Sequence, residues 1–266
     1  MGDFDKIVDD IYKIAKDTIG TRLKDGACVF CGEEVPKGEY CTCLKADKIN
    51  SRAKKINNKA SDLLNYFNTK GEQRAYLFSA SGVPRRFKGI DFDDYKTENK
   101  AQLSVKAAVE AYFSNCVKNW LLGTPMTLTG KFGTGKTMLT CILANRLIND
   151  WFWNVRFINF QEFIEKARSS FDNDAKKNLT ETIKAYKNCD FLIFDDLDKI
   201  KPTEFVQDLF YNVIDYRYTR ELPTIITANS SLEELEQIYY KEAAISRLFQ
   251  DSVKIRFEHD NWRLTH

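Results

Sequence analysis

Residues 130–137 read G-K-F-G-T-G-K-T and match the pattern G-x-x-x-x-G-K-[ST] at every fixed position. An apolar run at 126–129 precedes this stretch, and a segment with helical periodicity at 138–148 follows it. Three glycines allow the backbone N–H groups to turn inward, and the positive end of the helix dipole attracts anions to the same point. The stretch therefore predicts a phosphate-binding loop between a strand and a helix.

The residue types of this loop predict how it holds a polyphosphate. Lys136 is expected to reach the β and γ phosphates, and the Thr137 hydroxyl is expected to bind Mg²⁺. The rest of the predicted nucleotide-binding set is Gly130, Gly133, Thr134, Gly135 and Met138.

A second stretch, F-L-I-F-D-D at 191–196, supplies acids. Four apolar residues that run into two carboxylates are typical of a parallel strand buried on both faces, with its ligands at the carboxyl end. Asp195 is expected to hold Mg²⁺ through water, and Asp196 to orient or deprotonate an attacking water. The alternative interpretation is a turn or helix cap, which the phosphate loop upstream disfavours.

Length and composition limit the class of protein. A chain of 266 residues accommodates one P-loop domain and a smaller appendage, and 43% apolar residues suffice for a core. No apolar run approaches the roughly 20 residues that span a bilayer, and the start M-G-D-F-D-K lacks a signal core. A cytoplasmic protein without a membrane partner is expected. The net charge of +2 does not by itself demand a nucleic-acid partner.

Four of the seven cysteines cluster near the N-terminus as C-x-x-C followed by C-x-C. This grouping predicts a structural four-cysteine zinc site, with a redox dithiol or unliganded core cysteines as alternatives. The four predicted zinc ligands are Cys28, Cys31, Cys41 and Cys43. The remaining cysteines are scattered and are predicted to lie in the core: Cys116, Cys141 and Cys189.

Pattern changes divide the chain into three parts. Residues 1–70 form a predicted helical, zinc-binding domain, 71–100 a linker and entry segment, and 101–266 the nucleotide-binding domain. The helix predicted at 4–19 has an apolar stripe that packs on its own domain or docks a partner. The helix predicted at 46–70 has a basic face that is solvated or contacts nucleic acid or an acidic partner.

The nucleotide-binding part alternates helices and strands. Helices are predicted at 101–121, 205–217 and 232–248, and further strands at 155–159, 223–229 and 252–257. The helical region at 160–187 interleaves basic residues with Phe163, Phe171 and Tyr186. Two interpretations stay open for it: a grip on single-stranded DNA through phosphates and stacking, or a solvated helical hairpin.

The order of these elements predicts a five-stranded, doubly wound α/β fold with a parallel sheet. It resembles that of the P-loop AAA+ ATPases. More narrowly, the runs F-L-I-F-D-D-L-D and Y-R-Y-T-R-E-L-P-T-I-I-T-A-N-S-S-L-E-E-L and the ending S-R-L resemble the DnaC/DnaI branch of bacterial helicase loaders, close to the transposition helper IstB. The resemblance covers roughly 75–266, and the four-cysteine module is similar to that of DnaI-type loaders.

The resemblance implies further residue roles. Asn229 falls at the sensor 1 position near the γ phosphate, and Arg247 at the arginine finger, which reaches the nucleotide of a neighbouring subunit. For Arg247 the alternative is an ordinary cation at a helix C-terminus. The sequence ends nine residues after Phe257, so the expected fold lacks a C-terminal lid, and Arg263 is a weak substitute for sensor 2.

The resemblance also implies an activity and partners. ATP hydrolysis with Mg²⁺, self-assembly through the AAA+ domains, and loading of a hexameric replicative ring helicase onto single-stranded DNA are expected. Two alternatives stay open: a transposition helper ATPase like IstB, and a nucleotide-gated adaptor or inhibitor of a replication protein that hydrolyses little.

Overall fold

The computed structural model describes part of the chain, in two units. The described residues are 23–24, 27–28, 34, 70–169, 176–239, 248–249 and 251–258. The units are Met1–Gln73 and Arg74–His266. In the first, β1 (Leu23–Lys24) and β2 (Ala27–Cys28) form an antiparallel pair. The predicted helix at 4–19 and nearly all of the one at 46–70 lie outside the described residues.

The second unit is built on a parallel sheet. Its strands are β3 (Met126–Gly130), β4 (Val155–Asn159), β5 (Phe191–Asp195), β6 (Thr224–Ala228) and β7 (Val253–Phe257). They lie in the order β4-β5-β6-β3-β7, and every neighbouring pair is parallel. All residues of β5 and β6 are buried, as expected for central strands covered on both faces. The five-stranded parallel sheet predicted from the sequence is confirmed.

Eight α-helices lie within the described residues. They are α1 (Lys70–Ala80), α2 (Lys100–Ser114), α3 (Cys116–Leu122), α4 (Lys136–Trp151), α5 (Phe160–Ser169), α6 (Lys176–Asn188), α7 (Glu204–Thr219) and α8 (Leu232–Tyr239). Short 3-10 helices form at Arg85–Phe87, Phe92–Asp94 and Leu197–Lys199. None of the helices in this part of the chain is both long and apolar enough to cross a bilayer.

The segment predicted to be helical at 101–121 is helical in the structure, but Asn115 divides it into two helices. Asn99 caps α2 through a reciprocal pair of hydrogen bonds with Gln102, and α2 ends where the Asn115 side chain bonds the carbonyl of Ala111 at 2.8 Å. The backbone of Asn115 leaves helical geometry there, and α3 starts at the next residue. The segment predicted as linker at 71–100 also contains structure, namely α1 and two 3-10 helices.

Aromatic side chains fill the core between the sheet and α5, α6 and α7. Phe163 and Tyr186 are 1% and 8% exposed, and their rings meet edge to face with centroids 5.4 Å apart. Rings buried in this way are not available to stack on bases, so the DNA-stacking interpretation is wrong for these two residues. Phe171 lies outside the described residues. The burial predicted for the three scattered cysteines is confirmed.

Arg217 at the end of α7 is fully buried. Its guanidinium donates to the carbonyls of Tyr186 (3.0 Å), Cys189 (2.8 Å) and Pro223 (2.6 Å) and to the Thr224 hydroxyl (3.0 Å). These acceptors lie at the end of α6, just before β5, and at or just before the start of β6. Arg217 therefore ties together the amino-terminal ends of the two central strands, opposite the edge where the predicted site residues lie.

Candidate nucleotide-binding site

The predicted phosphate loop connects β3 to α4. Gly130, Gly133 and Gly135 all have positive φ, at 135°, 78° and 94°. A side chain at Gly130 would collide with the backbone of Phe257 in β7, and one at Gly135 would collide with the Tyr95 ring. The loop geometry and its packing therefore both require glycine.

Lys136, the first residue of α4, points back into the loop. Its ammonium donates to the carbonyls of Gly130 (2.5 Å) and Lys131 (2.8 Å) and to Oδ1 of Asn229 (3.1 Å). The side chain is 4% exposed. Burial lowers the pKa of Lys136, and the carboxylates of the β5 segment oppose that effect. The structure thus places the cation where the ends of β3 and β6 meet.

Asp195 ends β5 with its carboxylate turned toward α4. It accepts hydrogen bonds from the hydroxyls of Thr137 (3.0 and 3.1 Å) and Thr227 (2.7 Å). Burial raises the pKa of Asp195 to about 6, against the opposing effect of the Thr227 hydrogen bond. Hydroxyl and carboxylate oxygens are the ligands that Mg²⁺ prefers, so Thr137 and Asp195 fit the predicted magnesium site.

Asp196 is held in a left-handed backbone conformation, with φ 55° and ψ 54°. Its N–H donates to the Thr227 hydroxyl at 2.9 Å, and its carboxylate accepts from Asn159 at 3.4 Å and lies 3.9 Å from the Lys199 ammonium. This conformation directs Asp195 and Asp196 to different places, although they are adjacent in sequence. Asp195 faces Thr137, whereas Asp196 lines the cleft described next.

A cleft of about 650 Å³ opens over the phosphate loop. Of the predicted site residues, it is lined by Gly133, Thr134, Gly135, Lys136, Thr137, Met138, Asp196 and Asn229. Gly130 and Asp195 join it through their hydrogen bonds to Lys136 and Thr137. The structure thus brings the predicted nucleotide residues together around one cavity, with a donor set that fits a polyphosphate.

The rest of the cleft wall comes largely from the segment that the sequence predicted only as a linker, and from the start of α2. Its lining residues are Arg86, Phe87, Asp94, Tyr95, Lys96 and Gln102. Tyr95 donates its hydroxyl to the carbonyl of Thr134 at 3.2 Å and packs its ring on Gly135. Hydrophobic periodicity does not indicate that these residues line a site. The one sequence feature that does so is the high density of aromatic and basic residues at 85–96.

Several predicted site residues lie outside the described residues: Cys31, Cys41, Cys43, Arg247 and Arg263. Cys28 is described as part of β2. Among the described residues, histidine, cysteine and acidic side chains form no group of three or more suited to a metal ion. The zinc site and the arginine finger stay predictions.

Comparison with known proteins identifies a family for this chain. Residues 83–266 match the family described as IstB-like ATP binding protein. The phage-like element PBSX protein XkdC of Bacillus subtilis is 27% identical over 65% of this chain and 66% of its own length, and B. subtilis YqaM is 26% identical over 66% and 56%. The replicative helicase loader DnaC of Escherichia coli is 20% identical over 70% of this chain and 74% of its own length.

Solved structures show the same fold. A crystal structure of the DnaC helicase loader has a TM-score of 0.58 and 22% identity, covering 66% of this chain and all of that one. The replication initiator DnaA, solved with AMPPCP and single-stranded DNA, has a TM-score of 0.55 and 19% identity, covering 68% and 52%. At these identities the likeness identifies the AAA+ fold.

Proposed function

The chain belongs to the family of IstB-like ATP binding proteins, and on this premise we propose that it hydrolyses ATP to load a replicative ring helicase onto single-stranded DNA. The observation that carries the proposal is the convergence of Lys136, Thr137, Asp195, Asp196 and Asn229 where β3, β5 and β6 end. The relative DnaC, whose fold this chain shares, is named a helicase loader.

In the proposed site, each residue acts on one part of the nucleotide. Lys136 exchanges its bonds to loop carbonyls for the β and γ phosphates, and the loop N–H groups hold the remaining oxygens. Mg²⁺, when bound by Thr137 and Asp195, supplies positive charge to the same phosphates. The cleft wall that carries Tyr95 adjoins the loop at Thr134 and Gly135, and the nucleoside is proposed to lie against it.

Two residues act on the attacking water. Asp196 lies in the cleft with its carboxylate oriented by Asn159, so it is placed to orient the water or to accept its proton. The Asn229 amide touches the Lys136 ammonium and would contact the γ phosphate at the same point. Arg247 of a neighbouring subunit would complete the site on assembly, which makes turnover slow in the monomer.

The N-terminal part, residues 1–70, is proposed to dock the helicase through a zinc-stabilised module. Its support is the spacing of the four clustered cysteines, all placed within 28–43. Purified full-length protein should contain about one equivalent of zinc, and Cys28→Ser should lose both that zinc and capture of the helicase while ATP affinity is retained. Metal-free protein that still captures the helicase would contradict the zinc module.

The family description favours a second candidate, an ATPase that assists a transposase as IstB does. The two candidates share the site and differ in the partner. Capture with the full-length protein from host extract, with Cys28→Ser as control, would recover a ring helicase for a loader and a transposase for a helper.

The activity itself is tested by ATP turnover, measured with and without single-stranded DNA. A loader should hydrolyse ATP faster when DNA and neighbouring subunits are present, and Asp196→Asn should remove that turnover. Nucleotide binding without turnover under every condition would instead indicate an adaptor or inhibitor that hydrolyses little.

A further inference from the structure

Asp198 lies in the 3-10 turn Leu197–Lys199, directly after the two acids of the predicted site. Leu197 is fully buried in the core and fixes this turn against the protein. The left-handed backbone at Asp196 turns the chain so that Asp198 reaches the segment between β6 and α8.

The Asp198 carboxylate is occupied by hydrogen bonds from that segment. It accepts from the backbone N–H of Asn229 at 3.0 and 3.1 Å and from that of Ser230 at 2.6 Å, and the Asn229 side-chain amide nitrogen lies 3.5 Å away. Hydrogen bonds from backbone N–H groups to a carboxylate are charge-assisted and hold their donors tightly. The end of β6 is therefore tied to the turn that follows β5.

These bonds do not serve as the cap of α8. Ser231 and Glu234 already cap that helix reciprocally, with the Ser231 N–H donating to Glu234 at 2.7 Å and the Glu234 N–H donating to the Ser231 hydroxyl at 3.2 Å. The donors to Asp198 are Ser230, one residue before this cap, and Asn229, two residues before it. These bonds therefore fix the position of Asn229 and not the start of α8.

The Asn229 side-chain amide consequently lies between Asp198 and Lys136. Its nitrogen faces Asp198, and its oxygen accepts from the Lys136 ammonium at 3.1 Å. Asp198 itself is absent from the residues that line the cleft, within the part of the chain that the structure describes. Its hydrogen bonds reach the site through Asn229, and its charge also acts on the Lys136 ammonium.

We propose that Asp198 is a positioning residue, which holds the Asn229 backbone and amide in register with Lys136 and thereby places Asn229 for hydrolysis. The proposal rests on the function proposed above. Because the hydrogen bonds of Asp198 reach the site through Asn229, its removal should affect turnover far more than nucleotide affinity, and most of that effect should require Asn229.

The test compares Asp198→Ala, Asn229→Ala and the double variant in ATP turnover and in affinity for a non-hydrolysable ATP analogue. Asp198→Ala should lower kcat roughly tenfold to hundredfold, as a displaced catalytic group does, with the analogue Kd within about twofold. The double variant should be little slower than Asn229→Ala alone. Asp208→Ala, an exposed acid on α7, is the matched control and should behave as wild type.

To separate a loss of stability from a loss of catalysis, turnover is measured well below the unfolding midpoint of each variant. The rate is then divided by the concentration of folded protein. Unchanged kcat in Asp198→Ala, or losses that multiply in the double variant, would overturn the positioning role while leaving the proposed ATPase intact. If the wild type has no turnover, the proposed function fails, and amide hydrogen exchange decides the inference. Faster exchange at Asn229 and Ser230 in Asp198→Ala, with α8 unchanged, supports it, and unchanged exchange at both overturns it.

Discussion

The Thr137 hydroxyl donates to both carboxylate oxygens of Asp195, at 3.0 and 3.1 Å, across 58 positions of sequence. The strand order explains the meeting. Asp195 ends β5, and Thr137 is the second residue of α4, the helix that follows β3. In the sheet, β6 lies between β3 and β5 and contributes Thr227 to the same carboxylate. Three chain segments that are neighbours in the sheet thus meet at its carboxyl edge, the usual ligand-binding edge of a parallel α/β fold.

Lys136→Ala should weaken ATP binding on the order of tenfold to hundredfold, because a charge-assisted contact to phosphate is lost. Titration with a fluorescent ATP analogue measures this. The matched control is Lys131→Ala, since Lys131 is exposed on the same loop and meets Lys136 through its backbone carbonyl. If the two variants bound the ATP analogue with equal affinity, Lys136 would not contact the phosphates.

Asp196→Asn should retain ATP affinity and lower kcat by on the order of a hundredfold or more, because an amide cannot accept the proton of the attacking water. Binding and single-turnover measurements on one preparation separate the two effects. A loss of affinity equal to that of Lys136→Ala would mean that Asp196 holds the nucleotide and does not act on the water.

Arg217→Met should destabilise the protein by about 3 kcal/mol or more, because the removed guanidinium leaves several buried carbonyls without donors. Chemical denaturation measures the free energy of unfolding. Arg220→Met, in the exposed turn that follows α7, is the control and should cause a much smaller loss. Similar losses in the two variants would show that the buried hydrogen bonds contribute little.

The local part of the site was predictable from the sequence. The phosphate loop and the acid pair carry their chemistry in short, contiguous patterns, and the buried strands around them follow from apolar runs. Lys136, Thr137 and Asp195 could therefore be placed at one site before the fold was known.

The parts that depend on tertiary geometry were missed. Thr227 joins Asp195 to Asp196 only because β6 lies beside β5 in the sheet, and the spacing along the chain carries no trace of that order. In the sequence, Asp198 is only a third acid next to Asp195 and Asp196. Its hydrogen bonds to Asn229 depend on the left-handed backbone at Asp196, which the sequence pattern does not reveal. The buried rings of Phe163 and Tyr186 were open to a DNA-binding interpretation because an amphipathic helix does not reveal what covers its apolar side.

Arg247→Ala should leave the ATP affinity of dilute protein unchanged and remove the rise in turnover on assembly, a loss on the order of 10³-fold if the residue is a finger acting in trans. A mixing experiment tests whether Arg247 acts on the nucleotide of a neighbouring subunit. Arg247→Ala combined with Lys136→Ala should regain activity, because the second variant supplies a finger to the intact phosphate loop of the first. No recovery in a demonstrably mixed assembly would mean that Arg247 does not act between subunits.

The central claim is that nucleotide chemistry at this site loads a ring helicase, and helicase loading on circular single-stranded DNA tests it most directly. A closed circle offers a ring no free end, so unwinding of an annealed strand requires the ring to be opened. With the host helicase, the wild-type protein and ATP should produce unwinding on the circle, and Lys136→Ala should not, while unwinding of a linear substrate should need neither. Equal unwinding of the circle with wild-type protein, with Lys136→Ala and with no added protein would contradict the account.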